Sequence, residues 1–235
     1  MSANRNAGRV AGLWYLVLCL LGPLRLIYIP STLFVRGDAA ATVRNIAAHE
    51  WLFRLGIVSD LLGAVVLIFL TLAFYRLFKG VDQYLAILVV ILGGVMPAVI
   101  NFVNAVSDAG VLTIVRRADF MSVFDAPQRD ALAMLLLRLH DHQITAAEIL
   151  WGAWLFPLGI LAYRSRFLPR VLGVWLLVNG VAYVILSLTG VLVPQYQSAV
   201  FRLGQPAFMG ELATMLWLVI KGASNLPPAA SYATE

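Results

Sequence analysis

The sequence predicts an all-α, polytopic membrane protein, with six transmembrane helices in one bundle. Composition is the first reason. Of 235 residues, 61% are hydrophobic and 12% charged, against roughly 45–50% and 25% in soluble domains. A soluble chain of this length cannot hide that much apolar surface from water. The second reason is that the apolar residues gather into six runs near the length of about 20 residues that crosses a bilayer core. The third is backbone chemistry. In lipid every N–H and C=O must be satisfied internally, and these runs are far longer than barrel strands, so they must be helices.

The first run is Val10 to Ile29, broken only by Arg25, and the second is Leu55 to Tyr75, holding Asp60. Tyr84 to Val106 carries no charge, Ile144 to Tyr163 contains Glu148, and Val171 to Val193 is again uncharged. The sixth, Pro206 to Ile220, contains Glu211 and is short, so it is expected to begin earlier, near Ala199, with Pro206 kinking it. The first run is too long for the apolar stretch of a signal peptide and lacks a small-residue cleavage site, so it is read as a retained helix.

Two loops are long. Pro30 to Arg54 holds Gly37-Asp38 before Ala-Ala-Ala-Thr, the pattern of an Asp-capped helix start. Ser107 to Gln143 holds Asp125-Ala126-Pro127, a second start with proline in the first turn. From Pro127 the helical pattern continues to Tyr163, roughly 55 Å at 1.5 Å per residue. Its first third is expected to project or lie on the membrane, with Ala131, Leu132, Leu135, Leu136 and Leu139 apolar and Arg129, Asp130 and Arg138 wet. Residues 1–222 are read as a single six-helix domain. Residues 223–235, rich in Pro, Ala and Ser without periodicity, are read as a disordered cytoplasmic tail.

Six spans put both termini on one side. Eight Lys or Arg residues flank the spans on that side and eight on the other, but the first set occupies about half as many residues and the second is interleaved with acids. Both termini are therefore placed in the cytoplasm, in a cell inner membrane.

Several classes of chemistry are set aside. Cys19 is the single cysteine, so no internal disulfide or cysteine metal cluster forms. The net charge of +5 comes from residues beside the apolar runs, a pattern that fits lipid headgroups and lacks the basic stripe of a nucleic-acid binder. Gly-rich phosphate loops, Ser-His-Asp sets and His-Glu-x-x-His helices are absent from the sequence. No span carries a lysine for a retinal Schiff base, or a histidine at depth for haem. No cofactor or metal is assigned, and the partners expected are the bilayer and a small-molecule ligand.

Charges inside apolar runs are the functional lead, because each is costly unless paired or wet. The candidate ligand-binding residues are Arg25, Asp60, Asn101, Asn104, Asp108, Glu148 and Glu211. All but Glu211 fall in the outer half, and Glu211 is near mid-depth. Asn101, Asn104 and Asp108 share a helix face, as do Arg138, Asp141, Thr145 and Glu148, and as do Gly56, Asp60 and Gly63, whose glycines permit close helix approach. Two readings stay open: a polar pocket open to the outside, or interhelical clamps. Arg25, Asp60 and Glu148 are expected within reach of one another. In His140-Asp141-His142, positions i and i+2 point about 200° apart on a helix. Only one of the two histidines could thus join Asp108 or Glu148 around a metal, and otherwise both are surface histidines. The functions considered are binding or moving a small polar or amphiphilic molecule, a structural or accessory subunit, and an intramembrane metal-dependent hydrolase.

Arg9-Val10-x-Gly12-x-Trp14-x-Leu16-Val17 recurs 161 residues later as Arg170-Val171-x-Gly173-x-Trp175-x-Leu177-Val178, and the same offset relates Glu50 to Glu211. Convergent helix starts and a duplicated helix pair both account for it. The stretch from Trp151-Gly152-Ala153-Trp154 through Pro157 and Gly159 to Pro169-Arg170-Val171-Leu172-Gly173 resembles a bacterial membrane family catalogued as domain-of-unknown-function family 4386. Gly8-Arg9 to Leu16, Gly37-Asp38 with Asn45-Ile46, and Glu211-Leu212 with Leu216-Trp217 are similar to it as well. The resemblance covers about residues 5 to 222. It implies a multi-helix inner-membrane protein and no particular activity.

Overall fold

The computed structural model describes residues 3–223, and among them every regular element is helical. Six helical stretches are long and apolar enough to cross a membrane.

The first span is α1 (Ala3–Pro23), a π-helical turn over Leu24–Tyr28 and α2 (Ile29–Leu33). Pro30 explains the turn. Its ring lacks an N–H and crowds the carbonyl four residues back, so the helix widens and the Ile29 N–H reaches Leu24 O instead. After α3 (Ala39–Ala48), the second span is α4 (Glu50–Phe78). The third repeats the device of the first. It joins α5 (Gln83–Val90), a π turn over Ile91–Val95 and α6 (Met96–Val115), with Pro97 just past the turn and the Met96 N–H on Ile91 O.

The fourth span is α7 (Ala126–Ala153) followed by α8 (Leu155–Ser165). The long helix expected from Pro127 thus exists but breaks at Trp154, three residues before Pro157. The fifth is α9 (Arg170–Leu192). The sixth, α10 (Gln197–Ile220), begins earlier than Pro206 and contains that proline. Both predicted Asp caps form. Asp38 accepts from the Ala41 N–H at 2.8 Å, and Asp125 accepts from the Gln128 N–H at 2.8 Å, with Gln128 returning a bond to close a capping box.

Glycines set the tightest helix contacts. A Cβ on Gly152 would lie 2.5 Å from Gly180 O, and one on Gly159 would lie 2.9 Å from Gly173 O. These two pairs lock α7 and α8 antiparallel against α9. A Cβ on Gly93 would meet the Trp154 ring at 2.4 Å, so the second π turn is where the third span receives that indole. The two described ends of the chain meet. Arg9 Nη2 donates to Ile220 O at 3.2 Å, and Gly8 packs on Ala223, which is buried. Of the segment expected to be a disordered tail, everything after Ala223 lies outside the described residues.

Two apolar clusters fill the bundle. One, at the end holding the chain termini, includes Tyr15, Phe74, Phe78, Trp154, Leu158, Leu176 and Leu218. The other, at the opposite end, includes Ile29, Leu33, Ile46, Phe53, Val111 and Leu137. Large apolar residues such as Leu20, Val106 and Leu203 are exposed, as lipid-facing positions should be. The same inversion corrects the expected apolar face of α7. Leu132 and Leu136 pack partly buried against the core as expected, but Ala131, Leu135 and Leu139 point outward, and the fully buried stripe is Ala133, Leu137 and His140. Where a helix borders lipid, leucines can face outward as readily as inward, so the apolar pattern alone does not fix the buried stripe. Glu50 and Glu211, matched by the sequence repeat, occupy unlike places: Glu50 sits in a partly exposed ion-pair set and Glu211 in the bundle interior.

Candidate functional site

Between the two apolar clusters lies a layer of charge. Arg25 Nε donates to Asp60 Oδ2 at 2.9 Å, and Arg25 Nη2 donates to Asp108 Oδ2 at 2.7 Å. The same Nη2 lies 2.7 and 2.9 Å from the two ring nitrogens of His140, whose Nδ1 is 3.2 Å from Asp108 Oδ1. All four residues are buried, Asp108 to 1% and His140 to 2% exposure.

Each member is delivered by a local feature. Arg25 rides the π turn, which breaks the regular α phase at that point. Gly56 clears the path of its stem, since a Cβ there would lie 3.6 Å from Arg25 Cδ and 2.8 Å from Ile29 Cδ1. Asp60 follows one turn later on α4, Asp108 comes from α6 and His140 from α7. Gly63, the next glycine on the Asp60 face, makes room for Asn101, whose Nδ2 would be 3.3 Å from a Cβ there.

The layer holds more polar valence than it uses. Asp108 Oδ1 and Asn104 Oδ1 are buried without a hydrogen-bond partner among the described residues, although Asp108 Oδ1 has His140 nearby. Buried polar atoms are normally satisfied, so such groups mark a bound water, ion or ligand, or a working site. Charge makes the same point. Arg25 is one cation facing two carboxylates, with the His140 ring beside them. Asp60, Asp108 and His140 each offer a ligand atom within 4.8 Å of the others, a donor set suited to a cation. Arg25 brings its own cation into that set, so a metal ion there would require the guanidinium to withdraw.

The expected trio of Arg25, Asp60 and Glu148 is corrected here: Asp108 and His140 take the place given to Glu148. Eight residues separate His140 from Glu148, about 12 Å along α7, which puts Glu148 a full layer deeper. There its Oε2 is buried without a hydrogen-bond partner among the described residues. Glu211 forms a separate centre. It accepts from the Tyr15 hydroxyl and from Asn179 Nδ2 at 3.3 Å, with Tyr183 alongside. Of the seven candidates, Arg25, Asp60 and Asp108 are thus in direct contact, Asn101 and Asn104 lie on the Asp108 helix, Glu148 lies near Tyr183, and Glu211 has its own centre. His140 is not a surface residue, whereas Asp141 and His142 are exposed. Sequence reasoning left His140 undecided because it lies outside the apolar run. Its spacing from Ala133 and Leu137, at i+7 and i+3, was the available signal. A cavity of about 170 Å³ opens at the α3, α6 and α7 end, and none of the seven residues lines it.

Six packed apolar helices around buried charge define a multi-pass helical membrane protein. The model of the family described as "Domain of unknown function (DUF4386)" matches residues 10–222, and the chain belongs to that family. An uncharacterised protein of Archaeoglobus fulgidus is 30% identical over 109 residues, covering 43% of this chain and 63% of that protein's length. No solved structure matches the chain.

Proposed function

We propose that this protein, one six-helix domain over residues 1–222 with both termini in the cytoplasm of an inner-membrane-bounded cell, binds or moves a small polar or amphiphilic molecule. Its site is the Arg25, Asp60, Asp108 and His140 layer, approached from the half of the bundle opposite the chain ends. The observation that carries this reading is the unspent valence at Asp108 Oδ1 and Asn104 Oδ1 in a layer already rich in charge. A helix clamp needs opposite charges in contact and nothing more. This layer adds a second carboxylate, an imidazole and a carboxamide face along α6. A structural role is the second reading, and it has its own support, because Arg25 already bonds both aspartates.

Thermal unfolding of the purified full chain in detergent, against a panel of small amines, amino acids and carboxylates, separates the two. Binding predicts that one chemical class raises the wild-type midpoint and leaves Asn104→Leu unmoved. A panel that moves neither protein favours the clamp.

A further inference from the structure

We propose that the cleft between α3, the end of α6 and the start of α7 is a phosphate-binding site, for a phosphate carried by a phospholipid headgroup or free in solution. It lies apart from the buried charged layer and does not depend on how that layer is read.

The cavity there, about 170 Å³, is lined by Arg44, Arg117 and Arg129 against a single acid, Asp130, with apolar wall from Val43 and Ile114. Three guanidinium groups and one carboxylate leave a strong positive excess in one concave space. Glu50, on the adjoining helix, does not relieve it, because it is already held by Arg54 at 2.6 Å and Arg116 at 2.7 Å. Arg129 gives one nitrogen to Phe124 O. Among the described residues, the guanidinium groups of Arg44 and Arg117 have no hydrogen bond or ion pair and are exposed. Guanidinium is planar and presents paired donors that match the oxygens of phosphate, so arginine clusters of this kind suit that group above other anions. The apolar wall suits the glycerol or acyl part of a lipid next to it.

The backbone adds an independent point. Arg117 sits at φ 54°, in the left-handed region that favours glycine. Glycine would relieve that backbone strain, and the arginine instead places its side chain in the lining of the cleft. Arg117→Gly therefore separates the two roles: the fold gains and the site loses.

The experiment uses the full chain purified in detergent stripped of lipid. Thermal midpoints are read with inorganic phosphate, with phosphatidylglycerol in mixed micelles, and with chloride at matched ionic strength. The wild type should be stabilised beyond chloride by at least one phosphate source. Arg117→Gly should melt no lower than wild type without ligand, yet bind roughly tenfold more weakly, the loss expected for one charge-assisted contact. Adding Arg44→Gln should abolish the response. A response to phosphatidylglycerol alone assigns the site to lipid headgroups, and a response to inorganic phosphate assigns it to free phosphate. No response above chloride, or equal affinities for wild type and Arg117→Gly, overturns the proposal.

Discussion

Arg25 touches two aspartates and a histidine from three different helices, so its removal strands more than one charge. Breaking a buried pair from one side costs about 3–5 kcal/mol, because the surviving charge stays buried and unpaired. Arg25→Leu should destabilise the protein by about that amount. Paired with Asp60→Asn or Asp108→Asn it should cost much less than the sum of the single changes. Paired with Glu148→Gln it should be additive within about 0.5 kcal/mol, because that carboxylate lies a layer away. Double-mutant cycles on reversible unfolding in detergent measure all three. Coupling of Arg25 to Glu148 in place of the aspartates would contradict the geometry.

At the scale of elements, proline and glycine decide where the helices bend and how closely they meet. Pro30 and Pro97 each follow a π turn, Pro157 follows the break at Trp154, and two glycine pairs seat α7 and α8 on α9. A methyl added at Gly152 meets backbone at 2.5 Å, which cannot yield by a side-chain rotation. Gly152→Ala should therefore lower stability by about 1–3 kcal/mol. Gly22→Ala, with nothing within 4 Å of the added carbon, should be neutral or slightly stabilising. Thermal melts of the two variants side by side test this, and equal losses would remove the glycine contacts as its basis. Both positions are glycines in apolar runs and look alike in the sequence. Only the neighbouring helix distinguishes them.

At the scale of the whole molecule, six crossings place both described ends on one face and the α3 to α7 loops on the other. With the denser basic flanks on the side of the ends, a reporter fused after Lys221 should behave as cytoplasmic and one inserted near Asp119 as external. Reversal of both would invert the orientation, and a mixed result would break the six-span count. The layered arrangement of apolar cluster, charge and apolar cluster also sets what the molecule can do. Any solute reaching the Arg25 layer from the far end must pass the cluster around Ile29, Phe53 and Leu137, so access depends on motion of that packing.

The number of spans, the two Asp-capped starts and the phase that sets Asn101, Asn104 and Asp108 on one helix face are properties of local pattern and length, and they follow from the sequence alone. So does the need of Arg25 for a buried acid, since an arginine in hydrocarbon demands one, but the sequence leaves Asp60 and Glu148 both open as that partner. Tertiary structure alone decided which further groups close the network. Asp108 and His140 reach Arg25, and Glu148 does not, because the packing of α7 sets His140 level with Arg25 and leaves Glu148 about 12 Å farther along the helix. The outward turn of Leu135 and Leu139 was likewise hidden. A leucine reads the same whether it faces protein or lipid, and in a membrane both environments are apolar.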